Sequence, residues 1–150
     1  MSLWMIFGSF ATISPAEEAP LATESSCRVC SPILTVAHVG LTETEATRKG
    51  LATRVAKLPA AAVLRTRTIG ETGGFMKALI DPKNDRILGF NMVGPEAGEV
   101  LAVVQMAMLA GSPYTVLSEA ILTHPTMAEG LNALFSAVKQ ESAAAKPSVA

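Results

Sequence analysis

The sequence predicts an α+β domain in which an antiparallel β-sheet packs against helices. The chain has 150 residues, which is enough for one domain with its own core. Strand-like and helix-like segments follow one another in blocks rather than in strict alternation, which favours this class over α/β. Hydrophobic residues make up 49% and charged residues only 17%, below the roughly 25% of an ordinary domain. We therefore expect some apolar surface to be covered by another subunit.

The first predicted elements are a strand, a short helix and a second strand. The apolar, β-branched run Ile33–Val39 predicts the first strand, which Gly40 ends. Thr42–Glu45 has the S/T-x-x-E pattern of a capping box, which opens a short helix that Gly50 closes. A weak alternation over Leu51–Leu58 favours a further strand.

A β-hairpin is predicted next. Phe75–Ile80 alternates apolar residues with small or polar ones, and Arg86–Val93 is its partner strand. The segment Asp81–Asp85 between them is a turn, because Pro82 fixes φ and the Asn and Asp residues tolerate left-handed geometry.

Two helices follow the hairpin. The first runs from Glu96 to Ala110, after Pro95 and before Gly111, and the second is the short segment Thr115–Ala120. Nearly every face of the first helix is apolar or small, and a helix of that kind is buried all round. A small domain cannot cover it alone, so we expect its far side to meet another subunit or a missing domain.

Two residues of that helix, Leu101 and Val104, are predicted to lie in the resulting subunit interface. An aspartate in place of either one is therefore expected to break a dimer, because it would bury an unpaired charge.

The organised domain is predicted to span residues 33–138, with an irregular N-terminal extension over 1–32 and a flexible tail over 139–150. A net charge of -1 and a pI of about 6.1 do not indicate binding to nucleic acid or to anionic membranes. No apolar run approaches the roughly 20 residues of a membrane helix. Leu3–Ile13 lacks the preceding positive residues of a secretory signal. We therefore expect a cytoplasmic location.

Several familiar site patterns are missing or incomplete. Cys27-x-x-Cys30 could be a redox pair or half of a zinc site, but no second pair follows, which favours two incidental thiols. We predict no metal site, since His38 and His124 are far apart in sequence and neither has a nearby cysteine. His38 is predicted to be a packed or edge histidine in a strand. Gly70–Gly74 has no following helix, so it predicts no phosphate-binding loop.

His124 is the strongest candidate for chemistry. It precedes Pro125 and the last predicted helix, Thr126–Val138, which a second capping box of Thr126 and Glu129 would open. A side chain at the third helical position points back toward the N-terminus. The Glu129 carboxylate is therefore expected to accept a hydrogen bond from the His124 imidazole. Such a pair can be an acid/base dyad, or a plain helix cap beside a surface histidine, and the spacing alone leaves both open.

Five segments have the order and spacing of one known family. They are Ala37–Glu43, Gly74–Asp81, Arg86–Phe90, Val93–Glu99 and His124–Glu129, and the last two contain the patterns GP-x-A-x-E and H-P-T-x-x-E. Together they resemble the C-terminal dimerisation domain of the pyridine nucleotide-disulfide oxidoreductases, which include glutathione reductase, dihydrolipoamide dehydrogenase and mercuric reductase. The resemblance extends from about Ile33 to Phe135.

The resemblance implies the dimerisation-domain fold of FAD/NAD-linked reductases and a tight homodimer. His124 would match the family's acid/base histidine and Glu129 its carboxylate partner, acting at the dithiol and flavin of the other subunit. His124 and Pro125 would contact that flavin, and the peptide bond between them would be cis. The family's FAD- and NAD(P)-binding domains are missing from the sequence, so the chain alone is expected to bind neither cofactor.

Two functions follow from this resemblance. The chain could be a fragment or split subunit of an FAD- and NAD(P)-dependent disulfide oxidoreductase, with a separate FAD/NAD(P)-binding chain as a further partner. The alternative is a stand-alone, non-catalytic dimerisation or interaction module, in which the His–Glu pair is a structural remnant.

Overall fold

The computed structural model describes residues 35–144. The predicted extension over residues 1–32, with Cys27 and Cys30, lies outside these residues, as do residues 145–150 of the predicted tail. In chain order the elements are β1 (Val36–Gly40), α1 (Glu43–Arg48), β2 (Arg54–Pro59), a 3-10 turn (Ala60–Ala62), α2 (Leu64–Ile69), β3 (Phe75–Ile80), β4 (Ile87–Val93), α3 (Ala97–Leu109), α4 (Thr115–Glu119) and α5 (Gly130–Ala144).

The strands form a four-stranded sheet in the order β1-β4-β3-β2, and every neighbouring pair is antiparallel. This confirms the predicted α+β class. The predicted hairpin is also confirmed, with Phe75 opposite Val93 and Leu79 opposite Gly89. Ile80 pairs with Ile87, so Leu88 is an extra residue in β4 and forms a bulge.

The main core lies between one face of the sheet and the long helices. Helix α3 contacts β1 and β4, and helix α5 contacts β2 and β3. Alternate strand residues point into this layer because the side-chain period of a strand is two. The largest fully buried side chains there include Met76, Phe90, Met92, Val104, Leu131 and Phe135. Helix α1 lies on the other face, where Lys77 Nζ donates to Glu43 Oε2 at 2.8 Å.

The rest of the domain buries only one side of helix α3. Leu101 and Val104 are fully packed in the core of a single copy. The prediction that these two residues lie in a subunit interface is therefore wrong. The opposite side of the helix leaves Met106 66% and Leu109 53% exposed, so these are the residues available to a partner.

The predicted capping box of α1 is confirmed. The main-chain N–H of Thr42 donates to Glu45 Oε2 at 2.8 Å, and the main-chain N–H of Glu45 donates to Thr42 Oγ1 at 3.2 Å. The Glu45 carboxylate accepts hydrogen bonds from the backbone N–H of Thr42 and, at 2.8 Å, from its hydroxyl, and these two contacts lower the pKa of Glu45 below its usual value of 4.5.

Four elements differ from the sequence-based prediction, of which β2 begins at Arg54 rather than at Leu51. The 3-10 turn and α2 were not predicted. Thr66 ties the two together, because its hydroxyl donates to the carbonyls of Ala60 at 2.9 Å and Val63 at 2.8 Å. The last helix begins at Gly130 rather than at Thr126, and it continues past Val138 to Ala144.

Within residues 35–144, no helix is both long enough and apolar enough to cross a membrane.

Candidate active site

The loop between α4 and α5 carries the candidate site. Ala120 leaves α4 in an extended conformation, and the chain then runs without regular structure until α5 begins at Gly130. The His124–Pro125 peptide bond within this loop is cis, as the family resemblance implied. Met127 is fully buried, so it anchors the loop to the core while His124 remains at the surface.

His124 and Glu129 are in direct contact. The distance from His124 Nδ1 to Glu129 Oε2 is 2.5 Å. A carboxylate accepts hydrogen bonds, so Nδ1 is the donor of this contact, and in a neutral ring with that tautomer the lone pair is on Nε2. The side chain of His124 is 64% exposed and that of Glu129 only 19%. The carboxylate therefore lies on the inner side of the ring, and the ring faces the solvent.

The contact between the two residues forms by a route other than the predicted one. Glu129 lies before the helix, so it is not at the third helical position, and the predicted capping box with Thr126 is wrong. The Thr126 hydroxyl instead donates to the carbonyl oxygen of Thr123 at 2.6 Å. Short-range bonds from Gly130 N to Met127 O and from Leu131 N to Ala128 O lead into α5. This turn, rather than a capped helix, brings the carboxylate back to the imidazole.

Asn132 also belongs to this region, although nothing in the sequence predicts it. Its amide Nδ2 donates to the carbonyl oxygens of Leu117 at 2.8 Å and Ala120 at 2.9 Å, with that of Ser118 at 3.4 Å. It thereby joins the first turn of α5 to the end of α4. An asparagine in a helix carries no such signal in sequence, because its partners lie 12 to 15 residues earlier.

The other histidine has a different environment. His38 lies in β1, an edge strand, and its Nδ1 is 2.7 Å from Asn91 Oδ1. It alternates with Ala37 and Val39, which are buried in the core, so it projects from the sheet face opposite α3 and α5. The prediction of an edge histidine is confirmed, and the structure pairs it with an amide rather than with a carboxylate.

Neither a metal cluster nor a dinucleotide loop is found among residues 35–144. No group of three or more His, Cys, Asp or Glu side chains in this part of the chain could hold a metal ion. Gly70 ends α2 with a φ of 75°, and the segment Gly70–Gly74 leads into β3 rather than into a helix. A phosphate cradle needs backbone N–H groups at the start of a helix, so this loop does not form one.

Residues 26–135 match the sequence profile of the family described as pyridine nucleotide-disulphide oxidoreductase, dimerisation domain. The probable pyridine nucleotide-disulfide oxidoreductase RclA of Escherichia coli is 42% identical over 104 residues, which cover 69% of this chain and 24% of that protein. The dihydrolipoyl dehydrogenase of Thermus scotoductus is 41% identical over 95 residues, which cover 63% of this chain and 21% of that protein. The chain thus spans about a quarter or less of the length of these relatives.

Solved structures have the same architecture. A copper(II) complex of a variant of the HOCl-induced flavoprotein disulfide reductase RclA from Escherichia coli matches with a TM-score of 0.74 at 37% identity, over 78% of this chain and 26% of that chain. LpdA from Mycobacterium tuberculosis matches with a TM-score of 0.69 at 17% identity, over 75% of this chain and 24% of that chain. At that identity the second match shows a likeness of fold alone.

Proposed function

Because this chain belongs to the pyridine nucleotide-disulphide oxidoreductases through their dimerisation domain, we propose that it supplies a homodimer interface and an acid/base dyad to a disulfide reductase. The dyad is His124 and Glu129, and it would act at a dithiol and flavin held by the partner subunit. The observation that carries this proposal is the 2.5 Å contact between an outward-facing imidazole and a largely covered carboxylate. A histidine held in this way is a typical general acid/base.

The dyad would move one proton in thiol–disulfide exchange. Nε2 of His124 takes the proton from a thiol, and the thiolate then attacks one sulfur of a disulfide. A new S–S bond forms as the old one breaks, and the departing sulfur leaves as a thiolate. In the opposite direction the imidazolium returns its proton to a departing thiolate. The carboxylate of Glu129, bonded to Nδ1, would keep Nε2 directed at the thiol in both steps.

Members of the family use FAD and NAD(P), and reduced NAD(P)H would supply the electrons for disulfide reduction. In this proposal the glycine loop Gly70–Gly74 binds neither group, because it opens no helix at which a dinucleotide phosphate could bind. FAD and NAD(P) would therefore be held outside these residues, by other parts of the enzyme or by a separate chain. The part of His124 and Pro125 would be to face that flavin from the other subunit.

The homodimer would form on the exposed side of α3 and on α4. Met106 and Leu109 are exposed there, and so are Val116 on α4 and Ile121 just after it. Large apolar side chains exposed together mark an interaction surface. Ile121 belongs to the loop that carries His124, so a partner that covers Ile121 would lie close to the dyad.

Mixing this chain with a family member from which the dimerisation domain has been deleted tests the proposal. We expect NAD(P)H-dependent disulfide reduction to return when the two are combined, together with a dimeric mass of this chain alone in size-exclusion chromatography. If no truncated reductase gains turnover while the chain is still a dimer, the alternative of a non-catalytic interaction module is correct. A cytoplasmic location is part of the same proposal, because it would keep the thiols reduced.

A further inference from the structure

We propose that Asn132 is a positioning residue, which holds the loop carrying His124 in the orientation that the contact with Glu129 requires. This inference rests on the proposed function of the dyad. It concerns a side chain that neither takes nor gives a proton in the reaction, and which acts only through the backbone of the loop.

The side chain of Asn132 caps the C-terminal end of α4. The last carbonyl groups of a helix have no partner within the helix, and the two N–H groups of one carboxamide are able to satisfy two of them. Asn132 Nδ2 donates to the carbonyl oxygen of Leu117 at 2.8 Å and to that of Ala120 at 2.9 Å. Ala120 is the residue where the chain turns from α4 into the loop.

The main chain of the same residue holds the other end of the loop. The N–H of Asn132 donates to the carbonyl oxygen of Glu129 at 3.0 Å. Asn132 therefore binds the chain four residues before His124, at Ala120, and five residues after it, at Glu129. Between these points the Thr126 hydroxyl bonds the carbonyl of Thr123 at 2.6 Å.

The imidazole depends on this support because it has little packing of its own. The His124 side chain is 64% exposed, so the position of its backbone decides whether Nδ1 reaches Glu129. Any residue except proline at position 132 could make the main-chain hydrogen bond to the carbonyl oxygen of Glu129. The side-chain hydrogen bonds need a carboxamide of this length, since aspartate has no N–H to donate and leucine has no polar atom.

The tautomer of His124 is the readout, measured by long-range ¹H–¹⁵N NMR of the full chain at alkaline pH. The chain has two histidines, so His38→Ala identifies the signals of His124. We expect the Nδ1–H tautomer to dominate in the wild type, because Glu129 accepts that proton. In Asn132→Ala we expect a shift toward the Nε2–H tautomer, while the overall spectrum of the folded domain is retained.

Two further variants distinguish the loss of the Asn132 hydrogen-bond donors from the general effect of a new carboxylate in the domain. Asn132→Asp keeps the shape but removes both donors, and it should shift the tautomer in the same direction as Asn132→Ala. Asn91→Asp makes the identical atomic change beside His38 on the other face of the sheet, and it should leave His124 unchanged. An unchanged His124 tautomer in both Asn132 variants would overturn the proposal.

A measurement on the wild type keeps the proposal testable even if neither variant folds. The carboxamide protons of Asn132 should exchange with solvent more slowly than those of Asn84, which lies in an exposed turn. Equal exchange rates would overturn the proposal. None of these measurements needs catalysis, so a chain that fails to restore turnover but behaves as described refutes the proposed function and leaves the positioning role intact.

Discussion

The imidazole Nδ1 of His124 lies 2.5 Å from Oε2 of Glu129, although five positions separate the two residues and no helical turn joins them. A buried methionine, Met127, and the tight turn into α5 bring the carboxylate back under the ring. Because Nδ1 is taken up by this contact, Nε2 is the ring nitrogen left for a partner, and the carboxylate lies on the opposite edge of the ring. An arrangement of this kind suits proton transfer to a partner that approaches from outside the domain.

Removal of the imidazole should cost little stability. The His124 side chain is mostly exposed, and substitutions at exposed positions usually change the free energy of unfolding by less than about 0.5 kcal/mol. We expect His124→Ala to stay within that range in urea unfolding followed by circular dichroism. A loss of several kcal/mol would mean that the ring is a structural element of the fold.

The two sides of α3 should respond differently to a charge. Leu101→Asp buries an unpaired carboxylate in the core of one copy, which should destabilise the domain by roughly 3 kcal/mol or more. Met106→Asp places the same charge on an exposed side chain, so the domain should stay folded and the dimer should dissociate. Light scattering after size-exclusion chromatography measures both masses.

The control for this pair is Leu51→Asp, which charges an exposed apolar residue outside α3 and α4. It should leave the mass of the dimer unchanged. A Met106→Asp protein that remains dimeric would show that the interface lies elsewhere.

Gly89 and Gly98 should respond in opposite directions to an added methyl group. A Cβ at Gly89 would lie 2.0 Å from the carbonyl oxygen of Leu41, which cannot withdraw without moving the backbone. Gly89→Ala should therefore destabilise the domain by about 2 kcal/mol or more. At Gly98, in α3, nothing lies within 4 Å, and alanine should stabilise the helix by roughly 0.5–1 kcal/mol. Thermal unfolding at matched protein concentration checks both, and equal effects would contradict the close approach of β4 to Leu41.

Acid should remove the contribution of the α1 capping box. The pKa of Glu45 is lowered by its contacts with the N–H and hydroxyl of Thr42. A carboxyl whose pKa is lower in the folded state stabilises the fold fully above its unfolded pKa, and this stabilisation is lost as the pH falls through the folded value. The Tm difference between wild type and Glu45→Gln should thus be largest near neutral pH. It should decrease as the pH falls below 4.5 and disappear as the pH falls through the lowered pKa of Glu45.

Glu71→Gln provides the comparison for that series, since Glu71 is an exposed carboxylate in a loop. The Tm difference of Glu45→Gln should decline in acid by more than that of Glu71→Gln does. A Glu45→Gln difference that persists unchanged in acid would contradict the capping role of the carboxylate.

Much of the fold could be predicted because its signals are local. Alternation identified β3, the turn after it identified β4 as the hairpin partner, and the pattern Thr42-x-x-Glu45 identified the start of α1. Helix α2 lacked such a signal: its N-cap is Val63, which makes no side-chain hydrogen bond, so nothing in the sequence marks where it begins. The side of α3 that faces the core was also not predictable, because both sides are apolar and only tertiary packing distinguishes them.

The contact between His124 and Glu129 was predictable from their spacing, but the backbone geometry that forms it was not. Thr126-x-x-Glu129 matches a capping box as well as Thr42-x-x-Glu45 does, yet only the second pair forms one. The difference is that no helix begins after Thr126: α5 starts at Gly130, and Glu129 contacts His124 instead. The role of Asn132 depends on carbonyl groups of α4, a relationship that exists only after the two helices have packed together.

The most direct test of the central claim compares the two histidines in a reconstituted enzyme. The wild-type chain, His124→Ala and His38→Ala are each mixed with a reductase that lacks its dimerisation domain, and NAD(P)H-dependent disulfide reduction is measured at saturating chain. We predict that His38→Ala retains the wild-type rate and that His124→Ala loses roughly 10²-fold or more, the range of general acid–base catalysis. Equal restored rates for the two variants would contradict the account, because the proton would then be carried by a group other than His124.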